Sequence, residues 1–290
     1  MTLVLGTRAS ALARAQSLLA AEALRQAHPG LEITEKPIRT TGDERLDISL
    51  STPGALDKGL FTKELEHALH HGEIDAAVHS LKDLPVEQPH GLVLGAILPR
   101  EDSSDCLASK HKGGWRGLPD RATVATCSPR RKHQLLHLRP DLVIVDIRGN
   151  IDTRLRKLAG NDSLDAIVLA RAGLLRLGNH TVPENIHITV IAEMLPAPGQ
   201  GAIALQCRRS DSPSLALLEK IHHTPTALCV NAERDLLRQL GGGCSLPLGT
   251  LATIQNGEVQ MKAAIFHPDG SIQRLAPDGN FELSRDGRVG

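Results

Sequence analysis

Short apolar runs alternate with segments of helical periodicity along most of the chain. Residues 3–5 predict a short buried strand, and Ser10 stands where the N-cap of a following helix is expected. Apolar residues then recur at helical spacing over 12–23, while residues 31–38 and 74–78 predict further strands. This alternation of strands and helices predicts an α/β fold with mainly parallel sheets.

The same order of elements returns in the second part of the chain. Residues 123–126 predict a strand, and Ser128 is a good N-cap with Pro129 at the first helical position. The segment 165–168 also resembles the strand-like segment 75–78. We therefore predict two similar α/β domains whose ligand chemistry lies at the carboxyl ends of the strands.

The C-terminal part of the chain follows a different pattern. Thr224 begins a predicted helix that is stopped by three glycines at 241–243. Strand-like stretches follow, joined at Asn256-Gly257 and Asp269-Gly270, and these dipeptides favour hairpin turns. The pattern predicts a third, smaller α+β unit from about residue 218 onward.

Composition and charge argue against several classes of protein. The 290 residues include 33 Lys+Arg and 33 Asp+Glu, so the formal net charge is +0 and a strongly basic nucleic-acid or membrane-surface binder is not expected. Aromatic residues make up 1%, which argues against a base-stacking surface. No apolar run approaches the roughly 20 residues of a membrane span, and the first residues lack the pattern of a signal peptide. The five cysteines form no CxxC pair, so we expect a cytoplasmic location, with no nucleic-acid partner and no membrane association.

Arginines concentrate where predicted strands end and predicted helices begin. Free N–H groups and the helix dipole attract anions there, and a guanidinium group suits the geometry of a carboxylate. Any one of these arginines is more simply explained as a solvated surface residue, but six at equivalent loop ends favour a cleft for a polyanion. They are Arg8, Arg130, Arg131, Arg148, Arg154 and Arg176.

Two further residues are candidates for chemistry. Asp83 follows Lys82 in a loop after a buried strand, where a carboxylate can act as an acid–base group or stabilise a cation; capping the turn before Pro85 is the alternative. Cys244 lies in a glycine-rich loop that leaves a thiol accessible as a nucleophile or attachment point, and the alternative is a small apolar residue in a turn. The 14 histidines include no HExxH motif and no Cys/His cluster, so no metal site is predicted.

Seven short motifs are distributed through the chain from its first strand to its C-terminal unit. They are GTRAS at 6–10, KGLFTKELE at 58–66, AVHSLKDLP at 77–85, SPRR at 128–131, IRGNIDTRL at 147–155, PGQGA at 198–202 and GGCSLPLG at 242–249. In this order they resemble the porphobilinogen deaminase family, whose members are also called hydroxymethylbilane synthases. The lysine–aspartate motif and the glycine–cysteine motif are specific to that family.

The resemblance implies a transferase of tetrapyrrole (heme) biosynthesis. Enzymes of this family join four porphobilinogen molecules head to tail into hydroxymethylbilane and release ammonia. They are primed by a dipyrromethane cofactor, which a cysteine holds through a thioether. Matching the motifs residue by residue places the cofactor on Cys244 and the catalytic aspartate on Asp83, with Lys82 beside it. Porphobilinogen is then the small-molecule partner, and a monomer is expected.

The resemblance also implies a set of binding residues. The six arginines match family residues that hold carboxylates, and Thr126 and Ser128 match hydroxyl contacts to the cofactor. Lys58 matches a lysine of a flexible loop, and Phe61 matches an aromatic residue near the pyrroles. The expected cofactor contacts are Cys244, Lys82, Asp83, Thr126, Ser128, Arg130, Arg131, Arg148 and Gly149. The expected substrate contacts are Arg8, Ser10, Lys58, Phe61, Arg148, Arg154, Arg176 and Gln200.

The family fold implies two periplasmic-binding-protein-like α/β domains and a small α+β domain that carries the cofactor cysteine. We expect domain 1 to comprise residues 1–98 and 197–216, domain 2 residues 102–193, and domain 3 residues 218–290. The family usually continues into a final amphipathic helix, so domain 3 is expected to be shortened at its C-terminal end.

Two local features depart from the family pattern, and one rival hypothesis competes with the enzyme. The segment 51–57 lacks a second lysine that often precedes the one matching Lys58, and Cys127 stands where a serine is common. The rival is a non-catalytic binding module that holds an anionic ligand between two α/β domains. The arginines suit both hypotheses, whereas Asp83 and Cys244 favour the enzyme, because a plain binder needs neither a catalytic carboxylate nor a tethering thiol.

Overall fold

Three sheets organise the chain in the computed structural model, which describes residues 2–40, 62–178, 181–242, 246–276 and 280–283. The strands, in chain order, are β1 (Thr2–Arg8), β2 (Glu32–Ile38), β3 (Ala76–Ser80), β4 (Leu92–Ile97), β5 (Asp105–Ser109), β6 (Thr123–Ala125), β7 (Val143–Val145), β8 (Ala166–Ala170), β9 (His187–Val190), β10 (Ile203–Arg208), β11 (Leu248–Gln255), β12 (Glu258–Phe266), β13 (Ile272–Leu275) and β14 (Phe281–Leu283).

Helices connect the strands of the two larger sheets and lead into the third. They are α1 (Ala11–Ala27), α2 (Lys63–His70), α3 (Pro129–Leu138), α4 (Ile151–Gly160), α5 (Arg171–Leu177), α6 (Ser212–Glu219) and α7 (Thr224–Gln239). Short 3₁₀ turns occur at Leu81–Asp83 and Gly114–Gly117. Within the described ranges, no helix is both long enough and apolar enough to cross a membrane.

The two larger sheets have the same strand pattern. The first has the order β2-β1-β3-β10-β4, in which β1 is parallel to β2 and β3, and β10 runs antiparallel between β3 and β4. The second has the order β7-β6-β8-β5-β9, with β5 as its antiparallel strand. The third sheet, β11-β12-β13-β14, is antiparallel. The predicted fold class, two similar α/β units and a smaller α+β unit, is confirmed.

Both predicted helix N-caps are confirmed. The Ser10 Oγ accepts a hydrogen bond from the Ala13 N–H at the start of α1, and the Ser128 Oγ accepts one from the Arg131 N–H at the start of α3. These bonds satisfy N–H groups that have no partner within the first turn of a helix. The predicted first strand, residues 3–5, was too short, because parallel pairing with β2 continues to Arg8, which is the last residue of β1.

Each large sheet is covered by apolar side chains on both faces. In the first sheet, Leu3 and Leu5 of β1 pack with Leu24 of α1 and with Leu205 of β10, all fully buried. In the second, separate buried clusters lie against α4 and against α3. Burial on both faces explains why these strands read as continuous apolar runs, and it leaves the strand ends free to carry polar side chains.

A buried carboxylate joins the third unit to the segments that cross between the two sheets. Glu233 of α7 is fully buried and accepts hydrogen bonds from the Arg100 side chain at 2.7 and 3.1 Å. It also accepts from the backbone N–H groups of Gly199 and Ala252, both at 2.8 Å. Arg100 precedes β5, and Gly199 precedes β10, so one side chain connects both crossing segments with β11.

Candidate active site

A cavity of about 470 Å³ opens between the two larger sheets. It lies at the carboxyl ends of four parallel strands, where Arg8 ends β1, Ser80 ends β3, Thr126 follows β6 and Ala170 ends β8. This is the position predicted from the alternation of strands and helices. Parallel strands present their loops and the following helix N-termini on one edge, which concentrates polar groups there.

The cavity brings together every predicted site residue that the structure describes. Lys58, Phe61 and Cys244 lie outside the residues that the structure describes. The predicted residues that line the cavity are Arg8, Ser10, Lys82, Asp83, Thr126, Ser128, Arg130, Arg131, Arg148, Gly149, Arg154, Arg176 and Gln200.

The Lys82–Asp83 pair is presented by the short turn that follows β3. The Leu81 N–H donates to the Ala202 carbonyl at 3.0 Å, and the Leu84 N–H donates to the Leu81 carbonyl at 3.1 Å. Leu81 and Leu84 are buried, whereas Asp83 between them is exposed to the cavity. The buried side chains of Leu81 and Leu84 therefore fix the turn, and the polar side chains between them lie at the cavity wall.

The Lys82 ammonium group sits in an environment that disfavours its charge. Burial lowers the pKa of Lys82 to about 8, and the neighbouring Asp83 carboxylate partly opposes this effect. Arg131 and Arg130 lower the pKa further, while Asp105 raises it. Lys82 therefore titrates close to neutral pH, where it can bind an anion or take part in proton transfer.

A buried ion cluster fixes the two arginines at the start of α3. Asp105, the first residue of β5, is fully buried and accepts hydrogen bonds from Arg130 Nη1 at 2.5 Å and from Arg131 Nη2 and Nε at 2.8 and 3.0 Å. Gln200 Nε2 adds a fourth bond at 3.0 Å. Burial opposes the ionisation of Asp105, but the two guanidinium groups outweigh it and hold the pKa of this carboxyl below its usual range.

Backbone carbonyls complete the environment of these two arginines. Arg130 Nη1 also donates to the Leu195 carbonyl at 2.6 Å, and Arg131 Nη1 donates to the Val168 carbonyl at 3.2 Å. Both side chains are therefore held rigidly in the cavity wall. Asp105 was not predicted from the sequence, although a carboxylate that opens an otherwise apolar strand is a signal for a buried ion pair.

A second group of arginines lies around the start of α4 and the end of α5. Arg154 Nε donates to the Gly149 carbonyl at 2.7 Å, and Arg176 Nη2 donates to the Gly201 carbonyl at 2.5 Å. Burial lowers the pKa of both guanidinium groups. Gly149 has a φ of 110°, and a Cβ there would lie 2.8 Å from Thr153 Cγ2, so this position requires glycine.

Three uncharged groups in the cavity wall add hydrogen-bonding capacity. Cys127 Sγ donates to the Ile147 carbonyl at 2.9 Å, and burial raises the pKa of this thiol. His79 in β3 is buried, and burial lowers its pKa to about 4, so its ring is neutral at pH 7. Among the described residues, His79 Nε2 and Gln200 Oε1 are buried without a hydrogen-bond partner. His79 was not predicted as a site residue, although a histidine within an apolar strand is visible in the sequence.

The charge of the cavity wall is strongly one-sided. Among the described residues that line it, six arginines and Lys82 face a single carboxylate, Asp83. The chain as a whole has a formal net charge of +0, so positive charge is concentrated in the cavity. This arrangement is suited to a ligand with several carboxylates, with one carboxylate available to stabilise a cation.

Comparison with known protein families identifies two matching domains. The family model described as "Porphobilinogen deaminase, dipyromethane cofactor binding domain" matches residues 3–216. The model described as "Porphobilinogen deaminase, C-terminal domain" matches residues 227–280. The two models together cover the α/β units and the smaller C-terminal unit.

Curated relatives carry the same name. The porphobilinogen deaminase of Moorella thermoacetica is 48% identical over 268 residues, which covers 91% of this chain and 83% of that protein. The one of Chloroherpeton thalassium is 46% identical over 269 residues, covering 92% of this chain and 84% of that protein.

The solved structures that match this chain have much lower identity. The BenM effector-binding domain with benzoate has a TM-score of 0.45 at 16% identity, covering 83% of this chain and 94% of that chain. A VFT2 domain of BvgS from Bordetella pertussis has a TM-score of 0.45 at 15% identity, covering 80% and 93%. The matched family models and the extent of identity with the curated relatives show that the chain belongs to the porphobilinogen deaminase family.

Proposed function

We propose that this chain is a transferase that joins four porphobilinogen molecules head to tail into hydroxymethylbilane, releasing ammonia at each addition. A dipyrromethane cofactor held by a thioether at Cys244 primes the reaction. The observation that carries the proposal is the cavity in which one carboxylate, Asp83, faces seven cationic side chains of the described chain.

The cavity wall fits a dipyrromethane. Each pyrrole ring derived from porphobilinogen carries an acetate and a propionate, so cofactor and growing chain together bring many carboxylates into one site. The rigid Arg130–Arg131 pair, Arg148 and Lys82 would hold the cofactor carboxylates, and the unpaired Gln200 Oε1 leaves an acceptor for a pyrrole N–H. When bound, the cofactor supplies the terminal pyrrole carbon at which the first coupling takes place.

Asp83 is the residue to which we assign the acid–base role. Porphobilinogen loses its amine as ammonia, and positive charge then develops on the substrate pyrrole. A carboxylate next to the pyrrole nitrogen stabilises that charge and can hold the proton that moves during deamination and coupling. Asp83 has the access that this requires, because it is exposed to the cavity while its flanking leucines are buried.

The remaining cationic residues are assigned to the incoming substrate. Arg8, Arg154 and Arg176 come from β1, α4 and α5, so they approach the cavity from both α/β units. Ser10 at the N-cap of α1 and Gln200 between the sheets add polar groups to the same wall. Contacts from separate elements orient a substrate with two carboxylates, which lowers the entropic cost of bringing the reacting atoms together.

The proposal also covers the cellular location, the oligomeric state and the domain boundaries of the protein. We assign a cytoplasmic monomer whose domain 1 comprises residues 1–98 and 197–216, domain 2 residues 102–193 and domain 3 residues 218–290. The pairing of β10 with β3 and β4 supports the return of the chain to domain 1. Sedimentation at micromolar concentration tests the monomer, and limited proteolysis at the two crossing segments tests the boundaries.

Mass spectrometry of the intact protein with a peptide map tests the proposal. The protein is expected to carry the added mass of two deaminated porphobilinogen units on the peptide that contains Cys244. Cys244→Ala should lack the added mass, whereas Cys127→Ala, which removes a thiol that lines the cavity, should retain it. A protein that neither carries the cofactor nor takes up added porphobilinogen would instead support the non-catalytic binding module.

A further inference from the structure

A buried arginine of α7 contacts the backbone of the turn that presents Asp83. Arg234 is 7% exposed, and it belongs to the helix that precedes the third sheet. Its two terminal nitrogens donate to four backbone carbonyls on either side of Asp83. The acceptors are Leu81 (3.3 Å) and Leu84 (3.1 Å) for Nη1, and Pro85 (2.7 Å) and Val86 (3.3 Å) for Nη2.

The turn depends on contacts from outside itself. It contains a single 3₁₀ turn, Leu81–Asp83, and such short turns have poor hydrogen-bond geometry of their own. Carbonyl groups that are buried without a donor cost free energy, so a guanidinium group that meets four of them selects one backbone conformation. Leu81 and Leu84 also pack against Ala227 and Val230 of α7, so this helix holds both the backbone and the side chains of the turn.

The same helix leads directly to the segment that contains Cys244. α7 ends at Gln239, and the Gly242 N–H donates to the Leu237 carbonyl at 3.1 Å. Leu237 and Leu246, on either side of 243–245, both line the cavity. A continuous helix is a rigid connection, so Arg234 and the end of α7 at Gln239 lie at a fixed separation.

We infer that Arg234 is a positioning residue for the proposed reaction: its guanidinium group sets where the Asp83 carboxylate lies relative to the cofactor attached at Cys244. The inference rests on the proposed function. It assigns to the C-terminal unit a second task besides carrying the cofactor, because that unit also holds the acid–base group of domain 1 in register with it. A displacement of about 1 Å at a reacting centre is sufficient to reduce a rate by about a hundred-fold.

Two substitutions of Arg234 and one matched control test this inference in the full-length holoenzyme. Arg234→Met removes all four hydrogen bonds and keeps an unbranched apolar stem, whereas Arg234→Lys retains a charge that reaches fewer carbonyls. Arg238→Met is the control, because Arg238 lies one turn later in α7 with its side chain 52% exposed and paired with Asp235.

Two measurements separate positioning from general stabilisation. The first is kcat and KM for porphobilinogen, with kcat expressed per molecule that carries the cofactor by intact mass. The second is hydrogen–deuterium exchange of the peptide over residues 81–88, compared with peptides of α3 and of β11. Because exchange does not depend on turnover, it reports on the contact even if the proposed reaction is absent.

Positioning predicts a lower kcat with an almost unchanged KM, since the substrate-binding arginines are untouched. We expect kcat to fall about ten- to a hundred-fold in Arg234→Met and less in Arg234→Lys, and to stay within about two-fold in Arg238→Met. Exchange should accelerate in 81–88 and remain at the wild-type rate in α3 and β11. If Arg234→Met does not fold, the same comparison between Arg234→Lys and the control decides.

Other results overturn the inference. An unchanged kcat per cofactor-bearing molecule, or faster exchange that is uniform over α7, β11 and 81–88, would mean that Arg234 only stabilises the unit in which it lies. A wild-type protein that binds the cofactor but produces no hydroxymethylbilane would overturn the proposed function instead, and local acceleration of exchange in 81–88 would still distinguish that outcome.

Discussion

The two α/β units hold the groups that they contribute to the cavity in different ways. In the second unit, Asp105 opens a strand of the same sheet that α3 covers, and it binds Arg130 and Arg131 from within that unit. In the first unit, the turn that carries Asp83 is held by Arg234 from outside the sheet. Similar strand patterns therefore hold their cavity groups differently. The Arg130–Arg131 pair is held mainly from within its own unit, whereas the turn that carries Asp83, to which we assign the acid–base role, is held by the C-terminal unit.

This difference predicts that substitutions in the two halves have different consequences. Damage to the Asp105 cluster should reduce stability and cofactor retention together, because buried charges lose their partner. Damage to Asp83 should remove turnover from a protein that is otherwise intact, because this side chain is exposed. Experiments that measure folding, cofactor content and turnover separately can therefore test the comparison.

Substitution of Asp83 is expected to give the largest effect on activity. Asp83→Ala should reduce the rate of hydroxymethylbilane formation by about 10²–10⁴-fold, the usual contribution of a general acid–base group. The melting temperature should remain at the wild-type value. Glu87→Ala is the matched control, since Glu87 is an exposed carboxylate four residues further along the chain. If Asp83→Ala retained more than half of the wild-type rate, a residue other than Asp83 would be the acid–base group.

Substitution of Asp105 should have its main effect on stability. Asp105→Ala leaves two buried guanidinium groups without their carboxylate, and breaking such a pair costs about 3–5 kcal/mol in the free energy of unfolding. Asp102→Ala, which removes an exposed partner of Arg171, should cost about 0–1 kcal/mol. Urea unfolding of both variants measures the difference, and equal values would show that the arginine cluster is not self-supporting.

The sequence predicted the features that depend on neighbouring residues. The caps at Ser10 and Ser128 are visible because an N-cap is defined within four residues, and the repeated strand–helix order shows that the sheets are similar. The return of β10 to the first sheet came from the family resemblance, because no local pattern records which sheet a strand joins. The cavity lies at the carboxyl ends of the strands, which is where the α/β class alone predicts ligand chemistry.

The contacts that distinguish the two halves could not be predicted in the same way. Asp105 is 25 residues from Arg130, and Arg234 is 153 residues from Leu81, so neither pair leaves a periodic signal. The backbone carbonyls that Arg234 meets have no sequence signature, and a carboxylate in an apolar strand indicates a buried ion pair without showing which arginines it binds. The arginine pattern predicted positive charge in the cavity, but the buried carboxylate that holds part of it became visible only in the structure.

The pH dependence of the reaction should show an intermediate effect from Lys82. Burial lowers the pKa of Lys82 to about 8 from a usual value of 10.5, so its positive charge is lost as the pH rises through 8. We expect kcat/KM to fall by about ten-fold between pH 7 and pH 9, if the ammonium group binds carboxylates. Lys82→Arg should move this alkaline limb upward, because guanidinium remains charged. If the alkaline limb of the kcat/KM profile does not move in Lys82→Arg, a group other than Lys82 titrates there.

The lowered pKa of Lys82 also predicts the direction in which the stability of the protein changes with pH. Between pH 8 and pH 10.5 the unfolded chain binds a proton at Lys82 that the folded chain does not bind. The free energy of unfolding should therefore rise with pH over this range, and the cost of holding the charged lysine is fully present below pH 8. Lys82 is only half-buried, so the change is expected to be small. Urea unfolding of wild type and Lys82→Met at pH 7.5 and pH 10 measures it.

Substitution of Cys127 should have the smallest effect, although this residue lines the cavity beside residues that we assign to the cofactor. It donates to the Ile147 carbonyl, and burial raises its pKa, so the thiol stays protonated at pH 7 and is a weak nucleophile. A serine hydroxyl can donate the same hydrogen bond. Cys127→Ser should therefore keep kcat within about two-fold and change the free energy of unfolding by less than about 1 kcal/mol.

The control for this substitution is Cys127→Val, which fills the site but cannot donate to the Ile147 carbonyl. It should cost about 1–3 kcal/mol in stability by leaving a carbonyl without its donor, and kcat should still remain close to wild type. A loss of more than about ten-fold in kcat for both variants would show that the thiol takes part in the chemistry. The second α/β unit would then contribute a reacting group as well as charge, and the division between an acid–base half and an anion-binding half would no longer hold.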